Sequence, residues 1–378
     1  PEVFGAALDV PEWQEKHVCV DRASAYITVS HNTARDLLRF FPTIPPKRIT
    51  VAYPGVATRL FHPANGDEIQ RFKARYGITR PYFLLTAINK AYKNNRLFLQ
   101  AFSQLFSRQG FDLLCIGSDP FLKPELRDYA IGCVVHLLNL SDVELRLAYA
   151  GAVATVYPSL YEGFGLPILE AMACGCPVIT CPNASIPEVA GDAALYVDSQ
   201  DVAAMAIALC DVQKPPVRQA LVEAGLARSQ QFSWTTMAET VRAALLAATL
   251  LPLQLRSVNL IAFPDWQQPE AVLLEDLSSA LQTVLVHSQR EQMTLLLNAS
   301  SVDHETASLA LSEVMMGLLM SGEFDDANMP EISLVPALGE MQWAMLCPQL
   351  QARLSLPHED KGAIEQSQTN HLPLFPPL

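Results

Sequence analysis

Between residues 157 and 179 the chain reads Tyr-Pro-Ser-Leu-Tyr-Glu-Gly-Phe-Gly-Leu-Pro-Ile-Leu-Glu-Ala-Met-Ala-Cys-Gly-Cys-Pro-Val-Ile, with carboxylates at Glu162 and Glu170. Glycines at 163 and 165 allow a backbone to approach a ligand closely, and free amides at a helix start favour an anion. Pro167 reads as the first helical residue and Gly175 as the residue that stops the helix. On that reading Glu162 sits on a strand-end loop and Glu170 in the first helical turn, both at one sheet edge. An ionised carboxylate is acceptor-only and can take two hydrogen bonds from a vicinal diol. The pair therefore suits a ligand rich in hydroxyls, with a sugar at one end and a ribose at the other. Taken singly, Glu170 would only complement the helix dipole and Glu162 would be a solvated loop residue. Their register with the glycines, the proline and the terminal glycine is what points to a site.

Lys93 is the matching cation. It opens a helix after a strand, so its ammonium would add to that helix's amides in favouring a phosphate or other anion there. The plain alternative is a solvated surface lysine, and Tyr92 and Asn94 beside it favour the phosphate role. Cys174, Cys176 and Cys181 come close together with no histidine near them. They read as small buried residues, and no metal site is assigned.

The elements that must position these groups alternate. Residues 25–29 form a strand leading through Ser30 into a helix over 34–40, and 49–53 a second strand stopped by Pro54-Gly55. Residues 59–76 read as a loop with a short polar helix, the place for an interdomain linker. From Pro81 onward strands are expected at 82–87, 112–116, 134–138, 154–157, 177–180 and 194–197, with helices at 94–107, 142–149, 167–174, 201–211, 215–231 and 235–248. Such alternation predicts an α/β fold, a Rossmann-like parallel sheet covered on both faces. Strands at 259–263, 293–297 and 332–335, followed by helices at 270–286, 305–320 and 340 to about 354, predict a second, smaller α/β block. The expected organisation is thus a remnant of an N-terminal domain with linker (1–80), a ligand-binding Rossmann-like domain (81–250), an acidic α/β extension (258–356) and a flexible tail (357–378). In the extension, Phe263-Pro264-Asp265-Trp266 ends a strand where Asp and Trp could meet a sugar, but packing on the adjacent helix is the preferred reading for Trp266. The apolar helix over 305–320 reads as core or domain interface.

The 378 residues are 50% hydrophobic and 17% charged, a globular composition that excludes wholesale disorder. No uninterrupted apolar run of about 18 residues is present, so a membrane-spanning chain is not expected. Of the net charge of −13, residues 251–378 carry −12. That balance offers no surface for phosphates of nucleic acid. The 8 scattered cysteines fit reduced thiols in a cytoplasmic setting better than a disulfide framework. The chain opens on Pro1 with no signal-peptide pattern, and a fragment of a longer protein is expected.

The segment 162–179 resembles the E-x7-E segment of retaining glycosyltransferases with the GT-B fold, specifically glycosyltransferase family 4, the glycosyl transferases group 1. The likeness extends over residues 25–248, through Ile27-Thr28-Val29-Ser30, Val51-Ala52-Tyr53-Pro54-Gly55-Val56, Tyr92-Lys93-Asn94, Leu140-Ser141-Asp142 and Pro187-Glu188-Val189-Ala190-Gly191. It implies that Glu170 binds ribose hydroxyls, that Glu162 and the amides of Gly163, Phe164, Gly165 and Leu166 face the transferred sugar, and that Lys93 contacts the diphosphate. Leu137 and Leu138 would lie against the base. Where the family has an arginine this chain has Ile88, and Lys90 is the nearby candidate to replace it, as a point charge without arginine's bidentate fork. The family's G-V-D is here Gly55-Val56-Ala57, and His17, His31 and His62 do not match its N-terminal histidine.

The resemblance therefore implies transfer of a hexose from a nucleotide diphosphate sugar to a saccharide acceptor, with retention and with neither cofactor nor metal. Positive side chains and helix amides would serve the diphosphate instead. With most of the N-terminal domain lacking, the fragment is expected to be inactive alone. Membrane contact, if made, would be peripheral and through that domain, and the acidic extension would serve domain contacts. The alternative is a non-catalytic nucleotide-sugar-binding or assembly module derived from the same fold. A dinucleotide oxidoreductase is disfavoured because no G-x-G-x-x-G follows a first strand.

Overall fold

A computed structural model describes residues 11–117, 121–320 and 328–375. The chain divides into two compact units, Pro1–Val241 and Arg242–Leu378.

The first unit begins with α1 (Pro11–Arg22), β1 (Tyr26–Thr28), α2 (His31–Phe40), β2 (Ile49–Val51) and α3 (Gly66–Arg75). Strands β1 and β2 pair in parallel. There follow β3 (Tyr82–Thr86), α4 (Asn95–Ser103), β4 (Asp112–Ile116), α5 (Pro124–Arg127), β5 (Val135–Leu138), α6 (Asp142–Gly151) and β6 (Ala154–Tyr157). The unit continues through α7 (Leu166–Ala173), β7 (Val178–Thr180), α8 (Ile186–Ala190), β8 (Leu195–Tyr196), α9 (Val202–Asp211), α10 (Pro215–Ser229) and the start of α11 (Trp234–Leu250). The six strands β3 to β8 are all parallel in the order β5-β4-β3-β6-β7-β8, so the direction of winding reverses between β3 and β6. Ligands of open α/β sheets bind outside the carboxyl ends of the strands at such a reversal.

Alternation along the strands divides the core. Tyr82, Leu84, Leu114 and Val178 face one side with α6 and α7 residues, while Phe83, Leu85, Leu113 and Ile179 face the other with residues of α4 and α9. The linker expected at 59–76 is instead part of this unit. Phe61 and Phe72 are buried in the same core as Tyr82 and Tyr149, and the Tyr76 hydroxyl donates to Glu144 at 2.7 Å. The polar residues that made the segment read as a linker occupy the outer side of α3. By length and composition the helical run Pro215–Leu253 is apolar enough to match a membrane span, although it holds no uninterrupted apolar stretch of that length. The run is broken at Gln230–Ser233 into α10 and α11, and Gly225 of α10 lies so close to Met172 of α7 that a Cβ there would come within 3.1 Å of the methionine side chain.

The second unit holds β9 (Val258–Ala262), α12 (Glu270–Leu285), β10 (Met293–Asn298), α13 (His304–Met320), β11 (Glu331–Val335), α14 (Glu340–Leu346), β12 (Ala352–Leu354), α15 (Lys361–Gln366) and β13 (Leu374–Phe375). Its five strands are parallel in the order β11-β10-β9-β12-β13. Two expectations are corrected here. The helix expected to end near residue 354 stops at Leu346, and β12 follows it. The stretch expected to be a flexible tail supplies α15, capped by the Asp360 side chain on the Ala363 amide at 2.9 Å, and β13, with Ala363, Ile364 and Thr369 buried. Both elements are too short for their periodicity to stand out in a polar sequence. Residues 376–378 of that stretch lie outside the described residues. The Trp266 indole donates to the Asn298 carbonyl at 2.6 Å and its ring joins the α12 core, while the Asp265 carboxylate closes a turn by accepting from the Gln267 amide and the Gln268 side chain. Packing, the preferred reading for Trp266, is what it does.

Candidate functional site

Two loops rise at the reversal point, one after β3 and one after β6. The loop after β3 leaves the strand at Ala87, whose φ of +47° is unusual for a residue with a Cβ. Buried Asn95 ties this loop down, its side-chain amide reaching the carbonyls of Thr86, Ala87 and Ile88 at 3.3 to 3.4 Å. A single 3-10 turn over Ala91–Lys93 and a left-handed Asn94 (φ +52°) then swing the chain into α4. Lys93 therefore lies just ahead of the helix rather than within it.

That turn sends Lys93 across to β6. Its Nζ lies 2.7 Å from Glu162 Oε1 and 2.5 Å from the Tyr157 hydroxyl. The rings of Tyr157 and Tyr92 lie 4.4 and 5.1 Å from the ammonium, close enough for cation–π attraction. The Lys93 and Glu162 side chains retain only 11% and 13% of their exposure, so the solvated-lysine and solvated-glutamate alternatives both fail. The Tyr157 phenol is held far above its ordinary pKa, first by burial and then by the charge of Glu162, with a smaller push from Glu170. It stays protonated, and both carboxylates act on it.

The loop after β6 carries its carbonyls in an ordered way. Ser185 Oγ lies 2.9 Å from both the Glu162 and the Phe164 carbonyl oxygens, and Asn183 donates to the Ser159 carbonyl at 3.1 Å. The Phe164 ring is buried between Tyr53 and Phe232, with centroids 5.9 and 5.7 Å away, leaving its amide rather than its ring for a ligand. Gly165 has φ +110° and caps α7, a conformation that favours glycine. Helix α7 starts one residue earlier than expected, at Leu166, which makes Pro167 its second residue and puts Glu170 in the second turn rather than the first. Gly175, at φ +71°, ends the helix, with the Cys176 amide returning to the Ala171 carbonyl at 2.9 Å.

Glu170 accepts a hydrogen bond from the Tyr149 hydroxyl of α6 at 3.1 Å. Burial raises its pKa, and the Tyr149 hydrogen bond opposes only part of that rise. Leu138 is half-buried at the end of β5, its carbonyl taken by the Gly117 amide at 3.1 Å. Lys90 is exposed at the start of the 3-10 turn and takes no part in the Lys93–Glu162 pair. Ile88 is only 4% exposed, in the core with Leu97 and Phe98. Sequence reasoning missed Tyr157, Tyr149 and Ser185. The one available signal was that Tyr157 ends β6 and Ser185 stands in the loop between β7 and α8.

The family model described as glycosyl transferases group 1 matches residues 80–214. The chain is 34% identical over 227 residues to the O-antigen chain mannosyltransferase B of Escherichia coli, covering 58% of this chain and 59% of that protein. It is 31% identical over 222 residues to the MMP alpha-(1->4)-mannosyltransferase of Mycolicibacterium hassiacum, covering 56% and 51% respectively. This chain thus spans between half and three fifths of the length of these two relatives. Among solved structures it is similar to Anabaena Alr3699/HepE in complex with UDP and glucose, with a TM-score of 0.54 at 17% identity over 61% of this chain and 64% of that one. It is also similar to the sucrose-phosphate synthase of Thermosynechococcus elongatus, with a TM-score of 0.52 at 25% identity over 63% and 61%.

Proposed function

We propose that the first unit, whose residues 80–214 match the glycosyl transferases group 1 model and whose fold is similar to GT-B structures, is the donor half of a glycosyltransferase using a nucleotide diphosphate sugar. The observation that carries this reading is the Lys93–Glu162 pair, nine-tenths buried at the reversal point of the sheet and beside the loop of Gly163, Phe164 and Gly165. Lys93 meets the diphosphate and offsets the charge that develops on it as the glycosidic bond breaks. Glu162 accepts a hydroxyl of the transferred hexose, and the loop amides donate to it. Glu170, on the helix that follows, accepts the ribose hydroxyls. The base lies toward Leu138. Lys90 supplies longer-range positive charge from the surface. The acceptor is a saccharide, transfer proceeds with retention as the E-x7-E resemblance implies, and no metal is needed because Lys93 and the amides carry the positive charge. All eight cysteines are free thiols, which fits a reducing, cytoplasmic compartment.

Calorimetric titration with UDP, GDP, ADP and their sugars tests this, alongside Glu170→Ala and Lys93→Ala. Saturable binding to one base, lost in both variants, is expected. Absence of binding to every one of these nucleotides and sugars would refute the reading. A second reading, a nucleotide-sugar-binding module without turnover, draws on one observation: the position where the family has arginine is a buried isoleucine, Ile88. Turnover by the full-length product separates the two.

A further inference from the structure

We propose that Ser30 and Thr33, far from the donor loop in sequence, are positioning residues for it, holding the Gly163 carbonyl so that the Phe164 amide is aimed into the donor site. The inference rests on the donor-domain reading above and names residues that reading does not use.

Ser30 is fully buried and stands at the cap of α2. Its hydroxyl donates to the Gly163 carbonyl at 2.7 Å across 133 residues of sequence. The Thr33 hydroxyl reaches the same oxygen at 3.2 Å, and the two hydroxyls are 2.9 Å apart. In a planar trans peptide the C=O and the next N–H point in opposite directions. Tying the Gly163 carbonyl to α2 therefore turns the Phe164 N–H away from α2. Ser185 does the same from another side, turning the Gly163 and Gly165 amides away from itself. A glycine has no side chain to anchor its peptide plane, so without the two hydroxyls the Gly163 peptide could rotate and present a carbonyl where a ligand's oxygens need a donor.

The start of α2 is itself seated against this domain. Glu188 of α8 accepts from the His31 and Asn32 amides at 2.8 and 2.7 Å and from the Tyr53 hydroxyl at 2.9 Å. The Tyr161 hydroxyl donates to Asp36 Oδ2 at 2.5 Å, a second tie between α2 and the same loop. The brace is thus fixed at both of its ends.

The test combines a label and a titration. With glycine 13C-carbonyl and phenylalanine 15N labelling, only Gly110–Phe111 and Gly163–Phe164 give one-bond correlations. In Thr33→Val, which leaves the α2 backbone cap intact, and in Ser30→Ala/Thr33→Val, the Gly163–Phe164 signal is expected to move while Gly110–Phe111 stays. UDP, GDP and ADP, each against UDP-glucose, GDP-mannose and ADP-glucose, then give the share of affinity due to the sugar. In the double variant that share is expected to fall roughly five- to tenfold, the size of one or two net hydrogen bonds, with nucleoside diphosphate affinity held within about twofold. Ser30→Thr, which keeps a hydroxyl, should restore both readouts. An unmoved Gly163–Phe164 signal in the double variant, or equal losses for diphosphate and diphosphate sugar, would overturn the proposal. If the unmodified chain binds none of the six compounds, the donor-domain reading and the sugar half of this proposal both fail, while the labelled peptide still decides whether the hydroxyls orient it.

Discussion

Replacing Glu162 by glutamine keeps the side chain's shape and removes its charge, which separates neutralising Lys93 from accepting a sugar hydroxyl. In the free protein the Lys93 ammonium faces Glu162 Oε1 at 2.7 Å. A diphosphate oxygen bonded to Lys93 at about 2.8 Å would lie at most about 5.5 Å from that carboxylate. Two unit negative charges at that separation repel by about 0.8 kcal/mol in a water-like dielectric and about 3 kcal/mol at an effective constant of 20. With both side chains nine-tenths buried the upper part of that range applies. Glu162→Gln should therefore bind the bare nucleoside diphosphate about 10- to 100-fold tighter, following 1.4 kcal/mol per tenfold. The sugar nucleotide should gain less, because the amide is a poorer acceptor for a hexose hydroxyl, and turnover of the full-length product should fall. Calorimetry at fixed ionic strength on the wild type, Glu162→Gln, Lys93→Met and the double variant measures this. Lys93→Met should weaken diphosphate binding and abolish the gain in the double variant. A correctly folded Glu162→Gln with unchanged or weaker diphosphate affinity would show that the ligand's phosphates do not share Lys93 with Glu162.

Three further outcomes are expected. Burial holds the Glu170 pKa above its ordinary value, so nucleotide affinity should decline on acidification at a higher pH than a free glutamate's 4.3 or so would give. Stability carries the opposite sign: the raised pKa favours the fold below the unfolded value, and that contribution is lost as pH rises through the folded one. Glu170→Gln should flatten the acid limb of a calorimetric pH series and weaken binding by about tenfold, since hydrogen bonds to charged groups are the stronger kind. Ala87→Gly should stabilise the first unit by about 0.5–1 kcal/mol, because glycine adopts the φ of +47° without a Cβ penalty, whereas Ala87→Val should lower the melting temperature; scanning calorimetry on both variants decides. Burial pushes the thiols of Cys115, Cys174 and Cys181 up to about 12 and that of Cys176 to about 11. A disulfide reagent should accordingly label exposed Cys19 and Cys210 quickly in the native protein and those four only after unfolding.

Local order was readable along the chain wherever it was set locally. Each strand of the six-stranded sheet was expected within a few residues of where it lies, because apolar runs bounded by Gly, Pro and Ser reflect backbone constraints over a few residues. The two glycines, the proline and Gly175 around α7 mark a loop and a helix whose limits shifted by one residue. Shorter elements escaped: α15 and β13 are too brief to generate a period, and α3 hid its one buried side chain, Phe72, among charges.

Residue types and spacing alone determined that the chain is α/β and pointed to the segment 157–179, with Glu162, Glu170 and Lys93, as the candidate site. They did so because helix caps, strand ends and glycine conformations are short-range properties. Only the tertiary structure decided that Lys93 reaches Glu162 across 69 residues, that Tyr157 and Tyr149 complete the two carboxylate environments, that Ile88 is core, and that Ser30 at the start of α2 holds the Gly163 carbonyl. Each of these depends on which loops a right-handed, parallel sheet brings to one edge, a long-range consequence of packing that no local pattern encodes.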